Sequence, residues 1–165
     1  MASQRVVERL YALSTALLRA EAVNEALQPH AEELLSSGQL DDTILDQLVQ
    51  AVRSLEQTPL LRAGNLLMVY LGLLYSVVEA WRKWRFTDAR VDAMLKSPYV
   101  SELGDFRDAV FHVVPATDAR LLAWEAAPTR VQWANDLAAA LRTAILDWQG
   151  NLGSRLVAHP DVGRT

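Results

Sequence analysis

The sequence predicts an all-α fold, an up-and-down helical bundle with extra short helices. Three observations predict it. Strand signals are nearly absent: there is no sustained period-two alternation, no Asn-Gly or Asp-Gly turn, and no cluster of β-branched residues between turn residues. Apolar residues instead recur at three- and four-residue steps along most of the 165 residues. The connections between these periodic stretches are short, so consecutive helices are expected to pack antiparallel.

The elements follow in order. Val6, Leu10, Leu13, Leu17 and Leu18 mark one face of a first helix, which Pro29 is expected to break or restart and Gly38 to close. Asp41 and Asp42 are N-cap candidates for a second helix carrying Ile44, Leu45, Leu48, Val52 and Leu55. Thr58-Pro59 starts a long apolar helix running to about Trp84, because Pro fits the first helical position. Its apolar run, residues 66–78, is 13 residues long, short of the roughly 20 that a membrane span needs. Thr87 and Asp88 start a short helix through Leu95. Ser97-Pro98 starts another, carrying Val100, Leu103, Phe106, Val110 and Phe111. Pro115 disfavours helical geometry at Val114, so that helix should end near His112 or Val113. A helical turn is expected from Asp118 to Glu125. Thr129 and Gln132 form a capping box for a last helix with Val131, Trp133, Leu137, Leu141, Ile145 and Trp148, stopped by Gly150. The expected organisation is one domain over residues 1–150 and a loose C-terminal tail over 151–165.

Composition narrows the chemistry. The chain is 51% hydrophobic, ample for one core, and has no cysteine. That excludes a disulfide framework, Cys-ligated zinc and a thiol nucleophile. With three histidines, His30, His112 and His159, no metal site is expected. Charges recur near the N-terminus, so no signal peptide is expected, and the chain reads as cytoplasmic with no membrane contact. The net charge of −4 argues against a duplex-DNA binder. It is unevenly spread: residues 1–57 hold 9 acids and 4 bases, and residues 58–165 hold 11 acids and 12 bases. Within the second part, residues 81–86 interleave Arg82, Lys83 and Arg85 with Trp81, Trp84 and Phe86. Two readings apply. The cations bind RNA phosphates while the aromatics stack on bases, or the aromatics pack inward and the cations are solvated at a negative helix end.

The strongest catalytic candidate is Arg107-Asp108-Ala109-Val110-Phe111-His112. Arg supplies a permanent cation with a donor fork suited to phosphate oxygens. His can give and take protons near neutrality, and a helix C-terminus favours its protonated, acid form. Asp108, four residues before His112, can orient the ring. Five residues at about 100° each put Arg107 and His112 about 140° apart around a helix. They converge only if the helix ends at His112 or a second copy of the motif faces the first.

The order Arg107, polar Asp108 and then His112, following a very hydrophobic helix, resembles the HEPN family (higher eukaryotes and prokaryotes nucleotide-binding domains). The resemblance covers about residues 58–150 and leaves the first 57 aside. It implies a small helical bundle that dimerises so that two motifs form one composite site. It also implies metal-independent, cofactor-free cleavage of RNA with the 2′-hydroxyl as nucleophile, as in toxins and antiviral effectors. A neutralising antitoxin or partner protein would be a separate chain. An inactive HEPN-like module that binds RNA, a nucleotide or a partner is the alternative.

HEPN-like domains often carry a further acidic residue facing the motif from a neighbouring helix, and Glu79 is the candidate. Its other reading is an i,i+4 pair with Lys83. Arg107 and His112 also have bland readings, as a surface residue and a helix cap. His30, at a helix break, and His159, in the tail, are expected to be structural or solvent-facing. Gly64, Gly72 and Gly104 fall within helical patterns, where close helix–helix approach explains them.

Overall fold

A computed structural model describes residues 2–37, 59–111, 124, 127–159 and 162. All six elements among them are helices: α1 (Ala2–Ser37), α2 (Pro59–Lys83), α3 (Ala89–Met94), α4 (Tyr99–Phe111), α5 (Pro128–Gly150) and α6 (Leu152–Ala158). The chain is therefore an all-α helical bundle. The expected helix from Asp41 to Leu55, Gly38, Thr58, His112, Pro115 and the 118–125 turn (apart from Trp124) lie outside the described residues.

α2 organises the bundle. It packs most extensively on α1, then on α4, and also touches α5. Buried Leu67, Tyr70, Leu71, Leu74, Val77, Val78 and Trp81 fall within about 120° of one face at about 100° per residue, and partly buried Leu66, Met68, Leu73 and Tyr75 border that face. By length and composition the stretch Arg62–Lys83 is apolar enough to cross a membrane, longer than its 13-residue apolar centre because Ala and Gly extend it, and half of that stretch is buried inside the bundle. α1 contributes Val6, Leu10, Leu13, Leu17, Ala20 and Leu27, and α5 contributes Ala134, Leu137, Ala138, Leu141, Ile145 and Trp148.

Paired side chains give the directions. Ser14 meets Gln149, Glu21 meets Arg142, and Asn24 meets Asn135, so α1 and α5 run in opposite senses. Arg9 lies over Trp84 while Asn24 and Tyr70 share Asn135, so α1 and α2 are also antiparallel. Tyr75 reaches Gly104 and Glu79 reaches Arg107, so α4 lies against the second half of α2, and Arg82 reaches Leu95 in the connection between them.

Start signals are partly as the sequence predicts. Asp88 caps α3, its Oδ1 accepting from the backbone N–H of Arg90 (2.9 Å) and Val91 (3.1 Å). Ser97 Oγ accepts from the Tyr99 N–H at the start of α4 (3.2 Å). Three expectations are corrected. Pro29 does not break α1, which continues to Ser37; Leu27 beside it is buried, and tertiary packing holds the helix across the missing hydrogen bond. No Thr129–Gln132 box forms: α5 starts at Pro128, with Ala127 at the cap, and Gln132 bonds Asp136 instead. Pro pre-sets the first helical φ and has no N–H to satisfy. The stretch after Asn151 is not a loose tail through its first half, because α6 forms there and Val162 beyond it is buried.

Candidate functional site

α2 and α4 approach closely at Gly104. A Cβ there would lie 3.2 Å from Tyr75 Cζ, so the glycine sets how closely the helices approach. One turn along α4, Arg107 lies against the same face of α2. Its Nη2 donates to Glu79 Oε1 at 3.1 Å, and its Cζ sits 5.8 Å from the centre of the Tyr75 ring. Tyr75 and Glu79 are four residues apart and so share a helix face. Arg107 Nε lies 3.3 Å from Asp108 Oδ1, an ion pair whose angle does not make a hydrogen bond, leaving that Nε buried without an acceptor. The Arg107 side chain is 33% exposed, so the cation is cradled yet reachable from solvent.

Of the sequence-predicted residues, Arg107, Asp108 and Glu79 are brought together. Glu79 faces the motif from the neighbouring helix and reaches Arg107. His112 falls immediately beyond the end of α4, outside the described residues. Tyr75 was not foreseen; its i,i+4 spacing to Glu79 was the available signal. Two carboxylates on one guanidinium give the cluster a net negative charge, so an incoming phosphate must displace or reorient Glu79 or Asp108 to gain the full donor fork.

The residues at 81–86 divide. Trp81 and Phe86 are buried with ring centres 5.4 Å apart, and Phe86 packs edge-on against Trp148 at 5.0 Å. They belong to the core and offer no face for a base, which corrects the stacking expectation for these two; Trp84 is half-buried, with Arg9 Cζ 5.7 Å from its ring centre. Arg82, Lys83 and Arg85 are exposed, and Arg82 donates to the Leu95 carbonyl at 2.9 Å. Lys83 lies one turn beyond Glu79 on α2, so this cationic end adjoins Arg107.

His159 packs 5.7 Å from the Trp148 ring, within 3.2 Å of Thr87 Oγ1, a structural position. The His30 side chain is outside the described ones. Among the described residues no group of three or more His, Asp or Glu side chains is arranged to hold a metal ion.

Comparisons with protein-family models, with curated proteins and with solved structures found no match to this chain.

Proposed function

We propose that the chain is a HEPN-like, metal-independent endoribonuclease acting in the cytoplasm, in the manner of a toxin or antiviral effector. The observation that supports this reading most is the contact of Glu79 on α2 with Arg107 on α4. An acid facing the motif from the adjacent helix is what the resemblance implies.

In this reading two copies meet across a two-fold axis and pool their motifs. Arg107 of each holds the scissile phosphate. One His112 takes the proton of the RNA 2′-hydroxyl as its oxygen attacks phosphorus. A protonated His112 gives a proton to the departing 5′-oxygen, leaving a 2′,3′-cyclic phosphate and a 5′-hydroxyl. Asp108 orients the imidazole, and Glu79 fixes the guanidinium. Arg82, Lys83 and Arg85 hold flanking phosphates. Duplex DNA, lacking the 2′-hydroxyl, is not a substrate. A separate antitoxin chain would restrain the activity.

The two carboxylates on Arg107 favour a second reading, an inactive HEPN-like module that binds RNA, a nucleotide or a partner protein. One experiment separates the two. Labelled single-stranded RNA is incubated in chelator with wild type, Arg107→Ala and His112→Ala. Cleavage to cyclic-phosphate ends by wild type, at least 100-fold slower in either variant, is expected, as for loss of a phosphate-holding or acid–base group. Intact RNA retained with salt-dependent affinity establishes the second reading. RNA neither cut nor retained overturns both RNA readings.

A further inference from the structure

We propose, resting on the reading of Arg107 as the residue that holds RNA phosphate, that the phosphate seats on the Nε–Nη2 edge of its guanidinium by displacing Glu79, which occupies that edge as a built-in competitor until RNA arrives.

The two donors of that edge lie side by side and match a pair of oxygens on one phosphate. In the structure they are unequally used. Nη2 donates to Glu79 Oε1 at 3.1 Å. Nε is buried and has no acceptor. Asp108 Oδ1 lies 3.3 Å from it, at an angle that makes no hydrogen bond. A buried donor without a partner is unfavourable, and a group that spans both donors removes that penalty. Glu79 satisfies one of them. A phosphate with two oxygens on the edge satisfies both, so exchanging Glu79 for phosphate gains a hydrogen bond.

Two features allow the exchange. The Glu79 side chain is 46% exposed. Exposed ion pairs are weak, so its carboxylate can turn into water without unpacking α2. Lys83, one turn further along α2, is a cation that helical spacing puts within reach of the released carboxylate. The guanidinium meanwhile keeps its place. Its Cζ is 5.8 Å from the centre of the Tyr75 ring, and that ring abuts Gly104 on α4. Glu79 thus fixes the guanidinium only until phosphate arrives, and Tyr75 holds it afterwards.

The rival arrangement seats phosphate on Nη1 and leaves Glu79 in place as a buttress. Nε then stays unpaired. The two arrangements give opposite signs when the Glu79 charge is removed: a competitor's loss tightens binding, and a buttress's loss weakens it.

The test uses a fluorescein-labelled 2′-O-methyl RNA oligonucleotide, which has no free 2′-hydroxyl and stays intact whether or not the protein cleaves RNA. Binding is read by fluorescence anisotropy. Glu79→Gln is expected to bind about three- to tenfold tighter than wild type, through loss of the competing carboxylate and its repulsion. Glu79→Ala is expected to move the same way. Adding Arg107→Ala to Glu79→Gln is expected to abolish the gain. Asp105→Asn controls for charge alone. It removes the same charge from an exposed position on α4, about 200° around the helix from Arg107, and is expected to change binding less than twofold. Far-UV circular dichroism verifies that each variant keeps its helix. If Glu79→Gln binds no tighter while Arg107→Ala weakens the wild type, the competitor role is overturned and Arg107 remains the RNA-holding residue. A gain matched by Asp105→Asn, or one that survives Arg107→Ala, also overturns the competitor role. Binding indifferent to Arg107→Ala in both backgrounds, or absent from every variant, overturns it together with the RNA reading of Arg107. An Arg107-dependent gain upholds it whether or not unmodified RNA is cut, so cleavage judges the ribonuclease reading separately.

Discussion

Tyr70 is fully buried where α1, α2 and α5 meet, and its hydroxyl donates to Asn135 Oδ1 at 2.9 Å. Burial, with the Glu21 charge adding to it, pushes its phenol well above the ordinary value near 10. A raised pKa gives stability that is present below about pH 10 and lost as pH rises above it, because the unfolded chain releases the proton first. Tyr70→Phe is expected to cost about 1 kcal/mol at pH 7. In urea titrations that difference should shrink above pH 10; a constant difference would put the phenol in contact with water. Asp147 moves the other way. Its hydrogen bonds from Arg155 and then from Asn151 lower its pKa. The stabilisation is present above the unfolded value of about 3.9 and is lost as pH falls through the lower folded value. Asp147→Asn should therefore flatten the acid limb of stability below pH 4 in low salt and change little in 1 M NaCl, where exposed pairs are screened. The Tyr70 site was not read from the sequence, since Asn24, Tyr70 and Asn135 are more than 45 positions apart and nothing local marks their meeting; the Asp147 site is local, but its pairing with Arg155 depends on α6 folding where the sequence reads as a loose tail. Arg107 and Asp108 were legible because a short motif carried them, and Glu79 because the resemblance implies an acid facing that motif. Their contact with Tyr75 depends on Gly104, whose role appears only when the helices are packed.

At the scale of elements, the end of α2 shows how a local rule is broken. Phe86 N–H bonds the Trp81 carbonyl (3.1 Å), Arg85 N–H bonds the Arg82 carbonyl (3.1 Å), and the Trp81 and Phe86 rings are in contact. This is a Schellman stop, and its left-handed position is normally glycine. Here Arg85 occupies it, with φ of 58°. An L-residue there costs about 1 kcal/mol, so Arg85→Gly should stabilise the fold by about that much. If Arg85 holds phosphate, the same variant binds RNA more weakly while melting higher. A gain in stability with unchanged RNA retention would remove Arg85 from the binding surface. Pro29 is a second departure. Its ring occurs inside α1 and is exposed. Pro29→Ala restores a backbone donor and should raise stability by up to about 3 kcal/mol in denaturant titrations. Helix starts at Ser97-Pro98 and at Asp88 were legible because the side chain that caps is adjacent in sequence. Continuity through Pro29 and the folding of α6 were not, because both depend on what the segment packs against.

For the whole molecule, the central position of α2 predicts how the bundle unfolds. α1, α4 and α5 all rest on α2, and the core residues form one connected cluster from Val6 to Val162. Removing support from α2 therefore withdraws it from every neighbour. Leu74 is fully buried near the middle of α2. Leu74→Ala should cost about 2–5 kcal/mol, a large part of the total expected for one domain. The five tryptophans report from two places: Trp81, Trp84 and Trp148 lie near the α2–α3 turn, the first and last beside Phe86, and Trp124 and Trp133 lie with Tyr99 near the start of α4. If the bundle is one cooperative unit, Trp fluorescence and far-UV circular dichroism give one coincident urea transition, in wild type and in Leu74→Ala alike. The single Trp124→Phe and Trp148→Phe variants, each reporting from the remaining tryptophans, should each keep their fluorescence and circular-dichroism midpoints coincident. A split, with fluorescence dominated by the Trp81 and Trp148 cluster lagging behind the circular dichroism, would mean that α4 and its aromatic contacts detach before the α1–α2–α5 core. Arg107 would then sit on an element that opens independently, and RNA cleavage would fall in urea well before the core melts.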